Sequence, residues 1–591
     1  MTSTTYEQTR WQLDDLFRGK DSEEMKTHFE ALETAVHTFE ERRGELTADI
    51  SPEVLLDFVA QLEHIYRLAY RVYGFAALWF SENTQNQDAQ TFIGKVQQIF
   101  AQLQNRILFF SLWWKDVDDK NAERLLKETG VYAYYLREMR NFKPYTLTEP
   151  EEKILNIKNV TGVNALTTLY ETITNRFQFE FEVDGQKQTL TRDALMSYAY
   201  STDPQIRERA FKTMYETFKK EGSILGQIYQ YIVRDWHNEN VDLRKFASPI
   251  SVRNLANDIP DEVIDTLLDV AKQNVTVFQR YFQLKAKWLG MERIRRFDLY
   301  APVTKTDKAY SYNDGIGMVL DAFSEFTPEF ATLAQQVFDS HHIDSEVRMG
   351  KDDGAFCFGV LPELTPWVLV NYHNQPRDVA TLAHELGHAI HAMLAAKNPL
   401  LTVSPSLPLA ETASTFGEMV LVDYLLAREE DQNVRTDMLF RQVDNAYATI
   451  MRQIFFALFE REAHTMIQQG ASVDELAEAY FKNLQTQFGD SMELDDDFRW
   501  EWVAIPHIYK TPFYVYAYAF GLLLVLSLYQ QYKAEGESFK PRYLKILAAG
   551  GSAAPAEILA EAGVDIHSAA FWQGGFDVLS RLVDDLEKIP R

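Results

Sequence analysis

Cysteine is nearly absent. Cys357 stands alone in 591 residues, so no intramolecular disulfide can form and a disulfide-stapled fold is excluded. A solitary thiol suits a reducing compartment. Positive charge is scarce as well: 59 Lys and Arg face 86 Asp and Glu, a net charge of −27. That balance opposes binding to nucleic acid or to an anionic membrane, since both require clustered cations. It serves solubility and is compatible with cationic peptides as ligands. Residues 1–17 lack the apolar centre of a secretory signal. Long hydrophobic runs are missing except at residues 511–529, where Pro512 and the tyrosines predict a buried helix rather than a membrane span. The cytoplasm is the expected location. No internal repeat or low-complexity tract is present.

What remains is the composition of a soluble globular protein, 46% hydrophobic and 25% charged. The length exceeds what one core organises, so two or more lobes are expected. Most of the chain reads as helix. Ser51-Pro52-Glu53 is a start signal, a capping hydroxyl followed by proline in the first turn, and an apolar-periodic segment runs from Leu55 to about Phe80. Asp203-Pro204 and Asp258-Ile259-Pro260 predict further helix starts. One hairpin is expected, because Phe177, Phe179, Phe181 and Val183 alternate with Gln178, Glu180 and Glu182 before an Asp184-Gly185 turn. Residues 366–372 form a second β candidate. The expected architecture is mainly α and two-lobed, with small β elements. Soft boundaries near residues 110 and 200 give an N-terminal helical region (1–110), a hairpin-bearing region (111–199) and a C-terminal region (200–591).

The chemistry concentrates in three segments. The first contains His384-Glu385-Leu-Gly-His388, the His-Glu-x-x-His pattern. Histidines four apart share one face of a helix, so both imidazoles can reach one Zn²⁺ at about 2.0–2.1 Å. Glu385, one residue round, is placed to take a proton from a water at the metal. With 13 histidines, chance yields this pattern in roughly a few per cent of chains this long, so a third ligand must decide. The metzincin continuation is excluded, because His391 and Leu394 occupy its Gly and His positions. A straight helix cannot bring three rings to one metal, so His391 either supports a ligand or simply packs.

A carboxylate from a second helix is the remaining choice. Glu411 and Glu418 lie seven residues apart, on one helical face. Glu411 follows a proline-rich connection (397–408) that can turn the chain back. It would complete a three-ligand set with one open position, as catalytic zinc requires. Glu418 would then orient a histidine or be an ordinary surface glutamate. The third segment holds His507, Tyr514 and Tyr518. A tetrahedral intermediate needs donors aimed at its oxyanion, and these side chains can provide them if a helix after Pro512 projects the tyrosines together. Aromatic core packing is the other reading. Trp367, Val368, Leu369 and Val370, in the 366–372 strand, are expected to pair with substrate backbone.

At these residues the chain resembles the oligoendopeptidase F branch of the thimet oligopeptidase-like zinc metallopeptidases. The likeness includes Phe297-Asp298-Leu299-Tyr300-Ala301-Pro302, Gly354-Ala355-Phe356, the segment from Asp378 through Glu385, Glu411 to Glu418, Pro506-His507, and Gly550-Gly551-Ser552. It implies an almost wholly helical fold with a deep substrate channel between two lobes, one Zn²⁺ per chain, and endopeptidase activity on oligopeptides. Residue by residue it implies zinc on His384, His388 and Glu411, Glu385 as general base, and transition-state stabilisation by His507 and one or more of the tyrosines. A carboxypeptidase or dipeptidyl carboxypeptidase could use the same zinc site, and a non-catalytic peptide-binding scaffold is the alternative from another class. The intact Glu385 argues against the scaffold.

Overall fold

The helix starts written in the sequence are largely the ones used. In the computed structural model, which describes residues 5–183, 185–304 and 308–590, α1 (Pro52–Glu82) opens on an extended Ser51 whose side chain accepts from the Val54 amide. Pro52 costs nothing there, because first-turn amides have no intrahelical acceptor. Leu55, Phe58, Val59, Leu62, Ile65 and Ala69 recur along one buried face. The alternating phenylalanines form β1 (Phe179–Val183), paired antiparallel with β2 (Gln186–Leu190). The turn position Asp184 lies outside the described residues. α2 (Pro204–Trp236) starts on Asp203, which accepts from the Gln205 amide. The helix start expected at Asp258-Ile259-Pro260 is also used, though without a side-chain cap. Asp258 adopts a left-handed φ of 51°, and Pro260 is the residue preceding α3 (Asp261–Gln273).

The chain forms two compact units, each built from three stretches. Met1–Lys143, Lys308–Arg428 and Gln531–Val564 make the first; Pro144–Asp307, Glu429–Gln530 and Asp565–Arg591 make the second. The boundaries expected near residues 110 and 200 do not delimit either unit, because apolar faces find partners far along the chain.

Two apolar clusters organise the first unit. One joins α1 to Phe109, Phe110 and Trp114; the other gathers Trp11, Phe75, Trp367 and Leu369. The latter includes a three-stranded sheet of β3 (Ile343–Asp344), β4 (Phe356–Phe358) and β5 (Trp367–Leu369), in the order β3-β5-β4. β5 pairs parallel to β3 and antiparallel to β4. Trp367, Val368 and Leu369 are 0% exposed and Val370 is 1% exposed. The expected role of these four residues is therefore corrected. An unbroken apolar run marks a strand buried on both faces, and this one has both edges occupied. The far edge of β3 is flanked by the N-terminal segment, through Ser345 N to Thr9 O and Gln12 N to His341 O, each 2.9 Å. The outer edge of β4 carries no backbone pairing among the described residues.

After the sheet come α4 (Pro376–Ala395) and α5 (Thr412–Arg428), then α6 (Arg452–Gln468) in the second unit. The apolar run at 511–529 supplies most of α7 (Tyr516–Glu535), with Leu523, Leu524, Val525 and Leu528 buried. No described helix is long and apolar enough to cross a membrane. α8 (Lys540–Ala549) returns to the first unit.

Candidate active site

Local sequence rules place the first two histidines. Asp378 caps α4, its Oδ2 accepting from the His373 and Gln375 amides at 2.7 and 2.9 Å, and Pro376 occupies the first turn. His384 and His388 then stand one turn apart, rings 4.8 Å apart and nearly perpendicular at 83°.

Glycines let the segment that carries Glu411 reach them. A Cβ on Gly387 would lie 2.6 Å from Ser414 Cα and 2.7 Å from Ala413 O. A Cβ on Gly417 would lie 3.2 Å from Ala383 O. α4 and α5 thus meet backbone to backbone. The connection between them is pinned by the C-terminal stretch of the first unit. Asn398 Nδ2 donates to the Ala548 and Ala549 carbonyls at 3.0 and 3.2 Å, and Gly551 N donates to Thr402 O at 3.0 Å. Added Cβ atoms on Gly550 and Gly551 would meet Val403 O at 2.4 Å and Ser404 O at 2.1 Å. The Gly550-Gly551 pair is therefore a close-approach device for the loop that delivers Glu411.

Glu411 is the turn residue immediately ahead of α5, rather than inside the helix as expected. Its Oε2 lies 3.3 Å from His384 Nε2 and 3.4 Å from His388 Nε2. Two ligands at about 2.0–2.1 Å from a tetrahedral zinc lie about 3.3–3.4 Å from each other, so the carboxylate–imidazole spacings fit that ion. No other triad of such donors converges among the described residues. Glu418 Oε1 lies 2.6 Å from His384 Nδ1, which leaves Nε2 to face Glu411. Ser414 Oγ donates to Glu411 Oε2 at 2.8 Å. That residue escaped the sequence reading, and its signal is the one-turn spacing Glu411-x-x-Ser414. His391 does not join the donor set. It is 4% exposed and hydrogen-bonds the Ala410 backbone, and burial lowers its pKa to about 4, so it ties α4 to the residue before Glu411 as a neutral ring.

Charge is polarised across this cluster. Burial alone would depress the His384 imidazole, but Glu411 and Glu418 outweigh it and raise it to about 10. Burial likewise works against ionised Glu411, yet His384 and His388 hold it well below the usual carboxylate range. Together they form the negative field that suits a dication. Glu385 is 6% exposed and its Oε2 has no hydrogen-bond partner. Burial raises its pKa, aided by Glu411 and Glu418. β4 packs against α4, the helix that carries Glu385.

His507, Tyr514 and Tyr518 belong to the second unit and gather there. Tyr518 Oη lies 3.3 Å from His507 Nε2. The Tyr514 ring is 5.2 Å from that of Tyr518 and 6.3 Å from that of His507. The expected helical projection of both tyrosines is corrected: α7 begins at Tyr516, and Tyr514 sits in the preceding turn. Burial, then Lys510, Arg452 and Arg192, lower the His507 pKa, which favours a neutral ring able to donate one hydrogen bond. His507 lines a cavity of about 680 Å³ shared with Tyr300, Arg441, Arg452 and Phe456.

Known proteins place the chain among peptidases. It is 26% identical to oligopeptidase PepF of Bacillus subtilis, over 98% of this chain and 87% of the relative. It is 27% identical to an oligoendopeptidase F homolog of Borreliella burgdorferi, over 99% and 98%. Among solved structures, a chain from Chlamydophila abortus superposes with a TM-score of 0.86 at 23% identity, covering 98% of this chain and 97% of that one. Oligoendopeptidase-F from Enterococcus faecium gives 0.72 at 23%, covering 96% and 99%. Residues 113–179 match the model of Oligopeptidase F. Residues 197–578, which include both ligand-bearing segments and the His507 cluster, match that of peptidase family M3, and the chain belongs to that family.

Proposed function

We propose that this metallopeptidase is a zinc enzyme of the cytoplasm that cuts internal bonds of oligopeptides. The observation that carries the reading is the convergence of His384, His388 and Glu411 beside the buried, unpartnered carboxylate oxygen of Glu385. A scaffold would have no use for that oxygen, since leaving a buried polar group unpaired costs stability. Zinc held by those three residues would supply a Lewis acid that polarises the scissile carbonyl and makes water acidic near neutral pH. Glu385 takes the proton of the attacking water and passes it to the leaving amine. Glu418 holds His384 in the tautomer that leaves Nε2 for the metal. His507, Tyr514 and Tyr518 donate to the developing oxyanion.

The substrate backbone pairs with the outer edge of β4, in place of the enclosed β5. Strand addition supplies main-chain hydrogen bonds without demanding particular side chains, and it requires an extended peptide. The relatives named oligopeptidase and oligoendopeptidase support peptide substrates and internal cleavage. The single thiol supports a reducing compartment.

Peptides blocked at both ends, analysed by mass spectrometry with and without a chelator, test this reading. Internal fragments that vanish on chelation and return with zinc are expected. Release of residues only from a free C-terminus would instead establish a carboxypeptidase.

A further inference from the structure

Phe513 stands out in the second unit. It is a bulky residue with a φ of 59°, 1% exposed, in the turn between the short helix bearing His507 and the start of α7. Left-handed backbone is disfavoured for any residue with a Cβ and persists only where surrounding contacts enforce it. The enforcing contacts are visible. Glu460 of α6, 0% exposed, accepts from the Phe513 amide through Oε1 at 2.8 Å. Arg253 Nε donates to the Pro512 carbonyl at 3.4 Å. Asn257 Nδ2 donates to Tyr516 Oη at 2.8 Å, and the His464 ring packs 4.7 Å from the Phe513 ring. The N–H and the C=O of one peptide group, that joining Pro512 to Phe513, are thus held by side chains from separate elements, which fixes its plane ahead of the left-handed residue. The next residue is Tyr514, whose ring meets those of Tyr518 and His507.

We infer that Glu460 is a positioning residue for hydrolysis: by accepting the Phe513 amide it locks the left-handed turn that aims Tyr514. The inference rests on the proposed donor role of Tyr514. A buried carboxyl that merely filled space would not need its oxygen on this one amide, and a bulky residue at this φ would relax without it. The hydrogen-bond acceptor is what matters, so charge and acceptor position are separable by substitution. Glu460→Gln keeps an acceptor oxygen at the same reach. Glu460→Asp keeps the acid but withdraws it by one methylene.

Turnover of a doubly blocked peptide, metal content and melting temperature are measured for Tyr514→Phe, Glu460→Asp, Glu460→Gln and the Tyr514→Phe/Glu460→Asp double variant. We expect Glu460→Asp to lower kcat at least ~10-fold with KM and metal content unchanged, and Glu460→Gln to stay within about threefold of the parent. In the double variant the losses should not multiply, because both act through one hydroxyl. Full kcat in folded Glu460→Asp, an equal loss in Glu460→Gln, or multiplicative losses would each overturn the inference. Unchanged kcat in Tyr514→Phe would instead sink the donor role on which it rests. Arg253→Met removes the second hold on the turn while leaving every α6 side chain in place, and so serves if Glu460→Asp fails to fold. It should lower kcat with KM unchanged, and full activity there would count against the inference.

Discussion

Glu385 and Glu411 are carboxylates of one cluster, the first buried and the second half-buried, and their surroundings push them apart. Glu411 faces two imidazoles and is held ionised, whereas Glu385 keeps one oxygen without a partner. That division separates metal binding from proton transfer. Glu385→Gln should therefore keep its metal and lose at least the ~10²-fold that general-base catalysis supplies, because the amide preserves shape but cannot take a proton. Parent-like turnover in a metal-loaded variant would remove Glu385 from that role. For the ligands, Glu411→Ala should weaken metal binding sharply. Glu418→Ala should weaken it by the ~10–100-fold typical of a group that orients a ligand from behind. Competition against a chelator measures both, and the reverse order would exchange their roles.

At the scale of helices, the close crossing of α4 and α5 makes Gly387 the sensitive point. Helix propensity alone predicts that Gly387→Ala stabilises by about 1 kcal/mol. The new Cβ would meet the Ser414 and Ala413 backbone at 2.6 and 2.7 Å, and overpacking of this kind costs about 1–3 kcal/mol. Backbone cannot swing aside, so the clash should win: the melting temperature falls, and metal affinity falls with it as Glu411 is pushed from the histidines. A stabilised variant with parent metal affinity would show that the helices part easily. The same crossing shows what was legible in the sequence and what was not. The convergence of His384, His388 and Glu411 was readable because metal chemistry prescribes residue types and spacings. The roles of Gly387, Gly417 and Gly550-Gly551 were not, because glycine signals a close approach without naming the partner. Within residues 366–372 a strand does form, at Trp367–Leu369, but an apolar run does not say which neighbours will flank it. Tyr514 was expected on a helix because nothing local announces the left-handed turn at Phe513; the cause lies in Glu460 and Arg253, far along the chain. The Phe297–Pro302 motif is similar in kind. Asp298 within it is 0% exposed and bound by Arg207 at 2.7 Å, a structural ion pair that no spacing rule reveals.

Across the whole molecule, stability should respond to pH from both sides through two residues one turn apart on α6. Burial lowers the His464 pKa to about 3, below its unfolded value of about 6.5. The unfolded chain therefore binds the extra proton between those values, and stability is lost as pH falls through them. Burial raises the Glu460 pKa to about 8, with the Phe513 amide and Arg253 opposing. Here the folded chain holds the extra proton, so its contribution is present below the unfolded carboxyl pKa and is lost as pH rises towards 8. Glu460→Gln should flatten the alkaline limb of a melting-temperature profile and leave the acid limb intact. An unchanged alkaline limb would place Glu460 ionised throughout.

The interleaving of the two units also sets an order of events during synthesis. His384 and His388 leave the ribosome well before the residues that fix Glu411 beside them. Asn398 and Thr402 await the Ala548–Gly551 stretch, and the Thr412 carbonyl awaits the Tyr543 hydroxyl, which reaches it at 2.9 Å. At roughly 5–20 residues per second, that wait lasts on the order of ten seconds. During it the nascent chain has its histidines but lacks the anchored loop that joins a carboxylate to them. The cluster is thereby completed only once residues 548–551 have emerged, so the chain between the histidines and that stretch is made before a centre able to cut peptides is assembled.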